Sequence, residues 1–332
     1  MEETMHILLS TDANYVMPSA VMIKSVSINN ADMEIVFHAM IDGSVDERQK
    51  EKLSRVLTNV KHKMEFHLMD AHFFEDFPEL DGNKGGKKYI TQATYYRLVV
   101  ADVLPRFVHK VIYLDGDMIV RHSLGELWRI DIEKYPIGAV LDMSAGCIDY
   151  DRLEYDRKNE YFNAGILLIN LDYWRENDVK TQFMTLITQE PHRIRFHDQD
   201  VLNITFCGKF YPIPLRYNVQ NGFLWKPDYT GLGNLYEKYK DSLRDAIKDP
   251  VIVHYTGHEK PWQVEDGNPY GYEFLKYYKQ TEWKYTELKH CYKNKYRHAI
   301  AEFLRKVHVF PPKYPYKRQD VMYYTWEDIM KM

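Results

Sequence analysis

Short apolar runs bounded by turn residues alternate with stretches of helical periodicity through the first three quarters of the chain. That alternation predicts an α/β fold with a mostly parallel central sheet flanked by helices. Residues 6–11 (HILLST), 34–40 (EIVFHAM) and the stretch MEFHL, ending near Asp70, read as three successive strands. Between the first two, Pro18 opens a helix that can turn Val21, Ile23 and Val26 inward, and Leu53, Val56, Leu57 and Val60 follow amphipathic spacing after the second. A further helix is expected from Thr94 to Val103. The runs KVIYLD (110–115), IGAVLD (137–142) and GILLIN (165–170) are continuously apolar, as strands covered on both faces should be. Helices are expected from Tyr173 and after Asp198, and VIVHY (251–255) is the last strand, beyond which the pattern is helical.

Composition narrows the function classes. With 332 residues, 45% of them apolar, the chain can bury a full core. No window approaches the ~18 uncharged apolar residues of a membrane span, and MEETMHILL carries acids where a signal peptide has Lys or Arg, so a cytoplasmic location is expected. Cys147, Cys207 and Cys291 are odd in number and form no CxxC, which predicts small buried side chains and no redox or zinc chemistry. The net charge of −4 hides an asymmetry: from Lys284 onward, 11 Lys and Arg face 5 Asp and Glu, and the rest of the chain is correspondingly acidic. No nucleic-acid partner is expected. The tail is also crowded with aromatics, among them Tyr285, Tyr292, Phe303 and Trp326, a composition suited either to an anionic membrane surface or to a solvated appendage.

Candidate chemistry begins where VIYLD runs into Asp115, Gly116 and Asp117. Ligands of parallel α/β sheets collect beyond the carboxyl ends of strands, and Gly116 permits a tight turn beside the acids. Two carboxylates this close repel unless a cation lies between them, which suits Mg2+ or Mn2+ bridging to phosphate oxygens. An ordinary acidic turn has the same spelling. His254 ends another apolar strand, with Gly257 and Lys260 following, a backbone and an ammonium able to approach a pyrophosphate. An imidazole added to two carboxylates favours Mn2+, with Mg2+ as the alternative. YLDGDMI also fits the hhhDxD opening of haloacid-dehalogenase-type phosphatases, in which Asp115 would be the nucleophile. No later GDxxxD-like pair accompanies it. A non-catalytic carbohydrate-binding protein is a third reading.

An ordered series of motifs, STDANY (10–15), TYYRL (94–98), YLDGDMIV (113–120), YFNAGILLIN (161–170), HDQDVLN (197–203) and HYTGHEKPW (254–262), resembles glycosyltransferase family 8. This is a retaining family of GT-A fold that includes bacterial lipopolysaccharide galactosyl- and glucosyltransferases and is related to glycogenin. The resemblance implies a transferase domain over residues 1–265; the helical pattern beyond it predicts an appendage over 266–332, which carries none of the family's motifs. It implies transfer of glucose or galactose from a UDP-sugar to a glycan or glycolipid acceptor, with Asp115, Asp117 and His254 holding the metal. Asp12, Asn14 and Tyr15 would hold the uridine, although Asp12 is also a natural turn cap. Arg97, Asp115, Gly116, Asn163 and Asp198 would face the diphosphate and sugar, and Gly257 and Lys260 the pyrophosphate. Gln199 and Asp198 would be the catalytic pair; an amide oxygen is a poor nucleophile, so a front-face substitution through an oxocarbenium-like state is expected. Asp200 reads instead as a first-turn charge of its helix. Lys84 to Lys88 would form a lid, and the basic tail would permit peripheral membrane contact.

Overall fold

The computed structural model describes residues 4–69, 92–142, 149–156, 158–225, 234–263 and 268–288, with a few more between 300 and 309. The expected lid at Lys84–Lys88, Cys147, Cys291 and most of the tail lie outside the described residues.

Among the described residues ten strands form two sheets. β1 (Met5–Thr11), β2 (Ile35–Ile41), β3 (His62–Leu68), β4 (Lys110–Leu114), β6 (Ile137–Leu141), β7 (Phe162–Asn170) and β8 (Tyr211–Pro212) make the main sheet, in the order β3-β2-β1-β4-β7-β6-β8. β1 pairs in parallel with both β2 and β4, while β7 runs antiparallel to β4 and β6. β5 (Met118–Val120), β9 (Val219–Gln220) and β10 (Ile252–His254) form a smaller sheet in the order β5-β10-β9. This is the expected α/β class with a mostly parallel central sheet. The reversed direction of β7 had no signature in its composition, because all nine of its residues are buried. A strand covered on both faces reads as a continuous apolar run whichever way it points.

The helix Val16–Asn29 is buried around most of its circumference, from Val16 through Ser27, and lies between the main sheet and β5. Pro18 sits in its first turn, where the missing N–H has no partner to lose. The helix Glu47–Val56 begins with a capping box, Asp46 accepting from the Gln49 amide while the Gln49 side chain accepts from that of Asp46. It stops earlier than the apolar spacing suggested. Leu57 is already extended, and Val60 is 97% exposed in a turn where the Lys61 amide donates to Asn59 Oδ1. The stretch expected to be helical from Thr94 is a 3-10 helix over Gln92–Val99 that becomes α-helical only at Val100–Val103. Tyr270, Phe274, Tyr277 and Tyr278, on and beside the helix Gly271–Tyr278, join the same apolar core as the main sheet, and Asn29 Nδ2 donates to the Tyr277 hydroxyl. Among the described residues no helix is long and apolar enough to cross a membrane.

Two features of this topology build the site. After Asp117 the chain leaves the main sheet and starts the smaller one, so Asp115-Gly116-Asp117 is the joint between them. Within the smaller sheet His254 pairs antiparallel with Met118, and the Tyr255 amide donates to Asp117 O at 3.0 Å. That register brings an imidazole 137 positions downstream of Asp117 beside it.

Candidate active site

A cleft of about 830 Å³ opens beyond the carboxyl ends of β1 and β4. Asp12, Asn14, Tyr15, Arg97, Asp115, Gly116, Asp117, Asn163, Asp198, Gln199, His254, Gly257 and Lys260 all line it, so every candidate residue of the sequence analysis reaches one cavity.

Asp115 and Asp117 present their carboxylates to His254 Nε2 at 3.8 and 3.3 Å, close enough for one ion to touch all three. The tautomer of His254 follows from its neighbours. The Gly165 backbone amide donates to Asn163 Oδ1, so Asn218 must present its Nδ2 to that same oxygen, at 2.8 Å. Asn218 Oδ1 therefore faces His254 Nδ1 at 3.0 Å and must accept a proton from it. With Nδ1 turned to Asn218, Nε2 is left facing the two carboxylates. His254 and Asp117 are buried and the three ligand atoms lie within one ion's reach, an arrangement that a cation among them would satisfy. A donor set of two carboxylates and one imidazole suits a divalent ion of the Mn2+ type, and the hydrogen bond from Nδ1 is the outer-shell contact that metal-binding histidines commonly make.

Each acid has its own cation. Lys260 Nζ donates to Asp117 Oδ2 at 2.6 Å and to the Tyr255 carbonyl at 2.7 Å. Burial pushes the Asp117 carboxyl upward, but Lys260 and His254 outweigh it and hold the group below the usual carboxylate range. Arg97, 5% exposed, donates from Nη2 to Asp115 Oδ1 at 2.9 Å, with its guanidinium 4.1 Å from the centre of the Tyr113 ring. The Tyr113 hydroxyl donates to the same Asp115 oxygen at 2.7 Å. Arg97 Nε also lies 3.0 Å from Asp198 Oδ2, an ion pair without the alignment of a hydrogen bond. One guanidinium thus spans two acids on different elements. Burial raises the Asp198 carboxyl to about 7 despite Arg97, and Asp115 adds to the rise.

Gln199, on the helix His197–Thr205, has its amide fixed from the backbone. Gln199 Oε1 accepts from the Ala164 amide and from Asn163 Nδ2, both at 3.1 Å, and Nε2 donates to Asp142 Oδ2 at 3.0 Å. Its oxygen is already occupied by two donors. Asp200 is fully buried, receiving the Arg195 and Phe196 amides on Oδ2 and the Tyr161 hydroxyl on Oδ1, a structural arrangement. Asp12 is a turn cap, accepting from the Asn14 and Tyr15 amides, and it also faces the cleft. The Tyr15 ring meets Trp262 edge-on, with centroids 5.8 Å apart. Glycines keep the space open: a Cβ on Gly116 would come within 2.5 Å of Ser19 Oγ, one on Gly165 would overlap the His254 ring, and Gly257 adopts φ 93°, where other residues are strained.

Sequence reasoning passed over Asn218, Asp142, Tyr113 and Tyr161. Asp142 carried a usable signal, since IGAVLD ends an apolar strand in an acid just as VIYLD does. Asn218 carried none. Cys207, expected to be buried, is half-buried and receives a contact from Asn159 Nδ2 at 3.0 Å.

Comparison with known proteins agrees with this geometry. The chain is 29% identical over 290 residues to general stress protein A of Bacillus subtilis, covering 85% of this chain and 96% of the relative. It is 27% identical over 310 residues to lipopolysaccharide 1,2-glucosyltransferase of Escherichia coli, covering 90% and 87%. Among solved structures, the galactosyltransferase LgtC in complex with donor and acceptor sugar analogues superposes with a TM-score of 0.72 at 26% identity, over 84% of this chain and 96% of LgtC. The model of glycosyl transferase family 8 matches residues 6–266. With the motifs in the family's order and the fold of its solved members, this chain belongs to glycosyl transferase family 8.

Proposed function

We propose that the protein is a retaining hexosyltransferase that moves glucose or galactose from a UDP-sugar to a glycan or glycolipid acceptor with the help of Mn2+. The observation that carries this reading is the grouping of Asp115, Asp117 and His254 Nε2 within one ion's reach, with the other ring nitrogen turned to Asn218. Asp115, Asp117 and His254 would hold the ion, which when bound neutralises charge on the departing diphosphate. Lys260 leaves Asp117 for the pyrophosphate oxygens, beside the open backbone at Gly257. Asp12, Asn14 and Tyr15 receive the uridine, Tyr15 offering a ring already braced by Trp262. Arg97 acts by holding Asp115 and Asp198 at fixed separation. Asp198, poised near neutrality, can accept from or donate to a sugar hydroxyl, and Asn163 faces the same space.

Gln199 positions rather than attacks. Its oxygen already accepts from the Ala164 amide and Asn163, so no lone pair is directed at a sugar carbon, which favours front-face substitution without a durable adduct. Incubation with labelled UDP-glucose and UDP-galactose, with and without Mn2+, tests the whole reading. Metal-dependent release of UDP from one of the two is expected. Turnover of simple phosphoesters in its place would defeat it, and a glycosyl adduct on Gln199 or Asp198 seen by mass spectrometry would defeat the front-face step.

The acceptor is a lipid-linked or cell-surface glycan, a reading supported by the lipopolysaccharide glucosyltransferase relative and by the basic, aromatic tail. Work at the inner face of a membrane follows from it. Truncation after Lys284 should release the protein from anionic vesicles; undiminished pelleting would remove the tail's role.

A further inference from the structure

A second cluster of ligating side chains lies on β1, β2 and β3, apart from the cleft. His38, at the centre of β2, is paired in register with Leu8 of β1 and Glu65 of β3. Side chains alternate faces along a strand, so His6, two residues before Leu8, and His67, two residues after Glu65, stand on the same face of the sheet as His38. The three imidazoles form a row. His6 Nδ1 is 2.9 Å from His38 Nε2, and His38 Nδ1 is 3.0 Å from His67 Nε2, with ring centroids 5.2 and 5.3 Å apart. Glu65 Oε2 closes on the same His38 Nδ1 at 3.3 Å.

We propose that His38 Nδ1, His67 Nε2 and the Glu65 carboxylate form a second divalent-metal site, selective for zinc-like ions, with His6 as the outer-shell partner that sets the tautomer of His38. The three ligand atoms lie within one ion's reach of each other. To ligate through Nδ1, His38 must carry its proton on Nε2, and His6 Nδ1 is placed to accept it. His38 is buried within the row, so its ring is held in place with Nδ1 facing the other two ligands. The donor set also differs from that of the cleft. Two imidazoles and one carboxylate suit zinc, copper or nickel, whereas two carboxylates and one imidazole suit harder ions. His38 is buried, but Glu65 is exposed and β3 is the edge strand, so an ion has an approach from solvent and room for a water as fourth ligand. Bound there, it would tie the edge strand to its neighbour.

The experiment is equilibrium dialysis of the full chain against zinc, run on the Asp117→Asn variant so that the cleft site is disabled, with and without His67→Gln. The Asp117→Asn chain should retain one tightly bound zinc, and adding His67→Gln should weaken its binding by more than about a hundredfold, beyond what loss of an outer-shell contact costs. Zinc should raise the melting temperature of the first variant and leave that of the second unmoved. Equal zinc affinity with and without His67, or no bound zinc in the Asp117→Asn chain, would overturn the assignment. Glu65→Gln, at an exposed position where folding is not at risk, provides the second reading: it should weaken zinc binding at least tenfold, and unchanged affinity would count against the site. Transfer activity in Mn2+ should be the same for His67→Gln and the parent chain, which separates this site from the proposed function.

Discussion

The two clusters of titratable side chains in this fold solve opposite electrostatic problems. In the cleft, Asp115, Asp117 and Asp198 crowd together, and Arg97 and Lys260 are held against them. Along β1 to β3, the imidazoles of His6, His38 and His67 stand in a row at hydrogen-bonding distance, stacked between His6 and His38 and tilted between His38 and His67. Charged groups can be stacked at a strand end only when counter-charges are built in, whereas neutral rings can satisfy one another inside a sheet. The first arrangement is primed to exchange a protein cation for a substrate's charge. The second satisfies itself ring to ring, and at the proposed site an ion takes the place of the contact between His38 and His67.

The strongest way to break this contrast is Asp117→Asn. It removes one side of the metal trio and leaves Lys260 without its carboxylate, so transfer should fall by about a thousandfold or more in kcat, with an unchanged circular dichroism spectrum. Retention of more than a tenth of the activity would mean that the acids are ornamental. A smaller effect is expected from Asn218→Leu, which never touches substrate. With His254 Nδ1 deprived of its acceptor, the Mn2+ concentration for half-maximal activity should rise about 10- to 100-fold while kcat at saturating metal stays within a few-fold. A fall in kcat alone would assign Asn218 to some other task.

The smallest effect concerns a neutral ring. His62 lies buried between Ser27 Oγ, 2.8 Å from Nδ1, and the Asn30 carbonyl, and burial lowers its pKa below the ordinary histidine value. The unfolded chain therefore binds more protons than the folded one in mild acid, and this group's contribution to stability is present above the unfolded value of about 6.5 and lost as pH falls toward the folded one. Urea midpoints of the parent chain and His62→Gln, compared between pH 7 and pH 5, should converge in acid. Parallel curves would show that His62 is not part of the acid sensitivity.

Much of the fold was legible because parallel strands under helices are written as unbroken apolar runs, and β1, β2, β4 and β6 each fall within a residue or two of such a run. Asp115 and Asp117 were legible for a related reason: acids at the end of a buried strand have nowhere to go but the rim of the sheet. What did not show was anything set by pairing. Neither the reversal of β7 nor the membership of Ile252–His254 in a separate sheet changes which residues are apolar. Asn218 is a polar residue in a short 217–221 stretch, and only the chain of amides from Gly165 through Asn163 gives it a meaning. The helical spacing at Val60 misled because three apolar positions in phase cannot outvote a turn built by Asn59.

The reversal of β7 has a consequence for how the enzyme can diversify. β6 ends and β7 begins at the same rim, where the Asp142 amide closes on the Tyr161 carbonyl at 3.0 Å and Gln199 reaches both residues. Of the connection between them, the described residues pack back on the helix that carries Gln199: Leu153, Tyr155 and Tyr161 form one buried cluster, and the Tyr155 hydroxyl donates to the Asn203 carbonyl. Its exposed positions, Asp151, Asp156 and Lys158, can be rewritten while demanding no new strand, no new helix and no shift of the pinned ends. Substitutions should accumulate at those positions far more cheaply than anywhere along the buried strands.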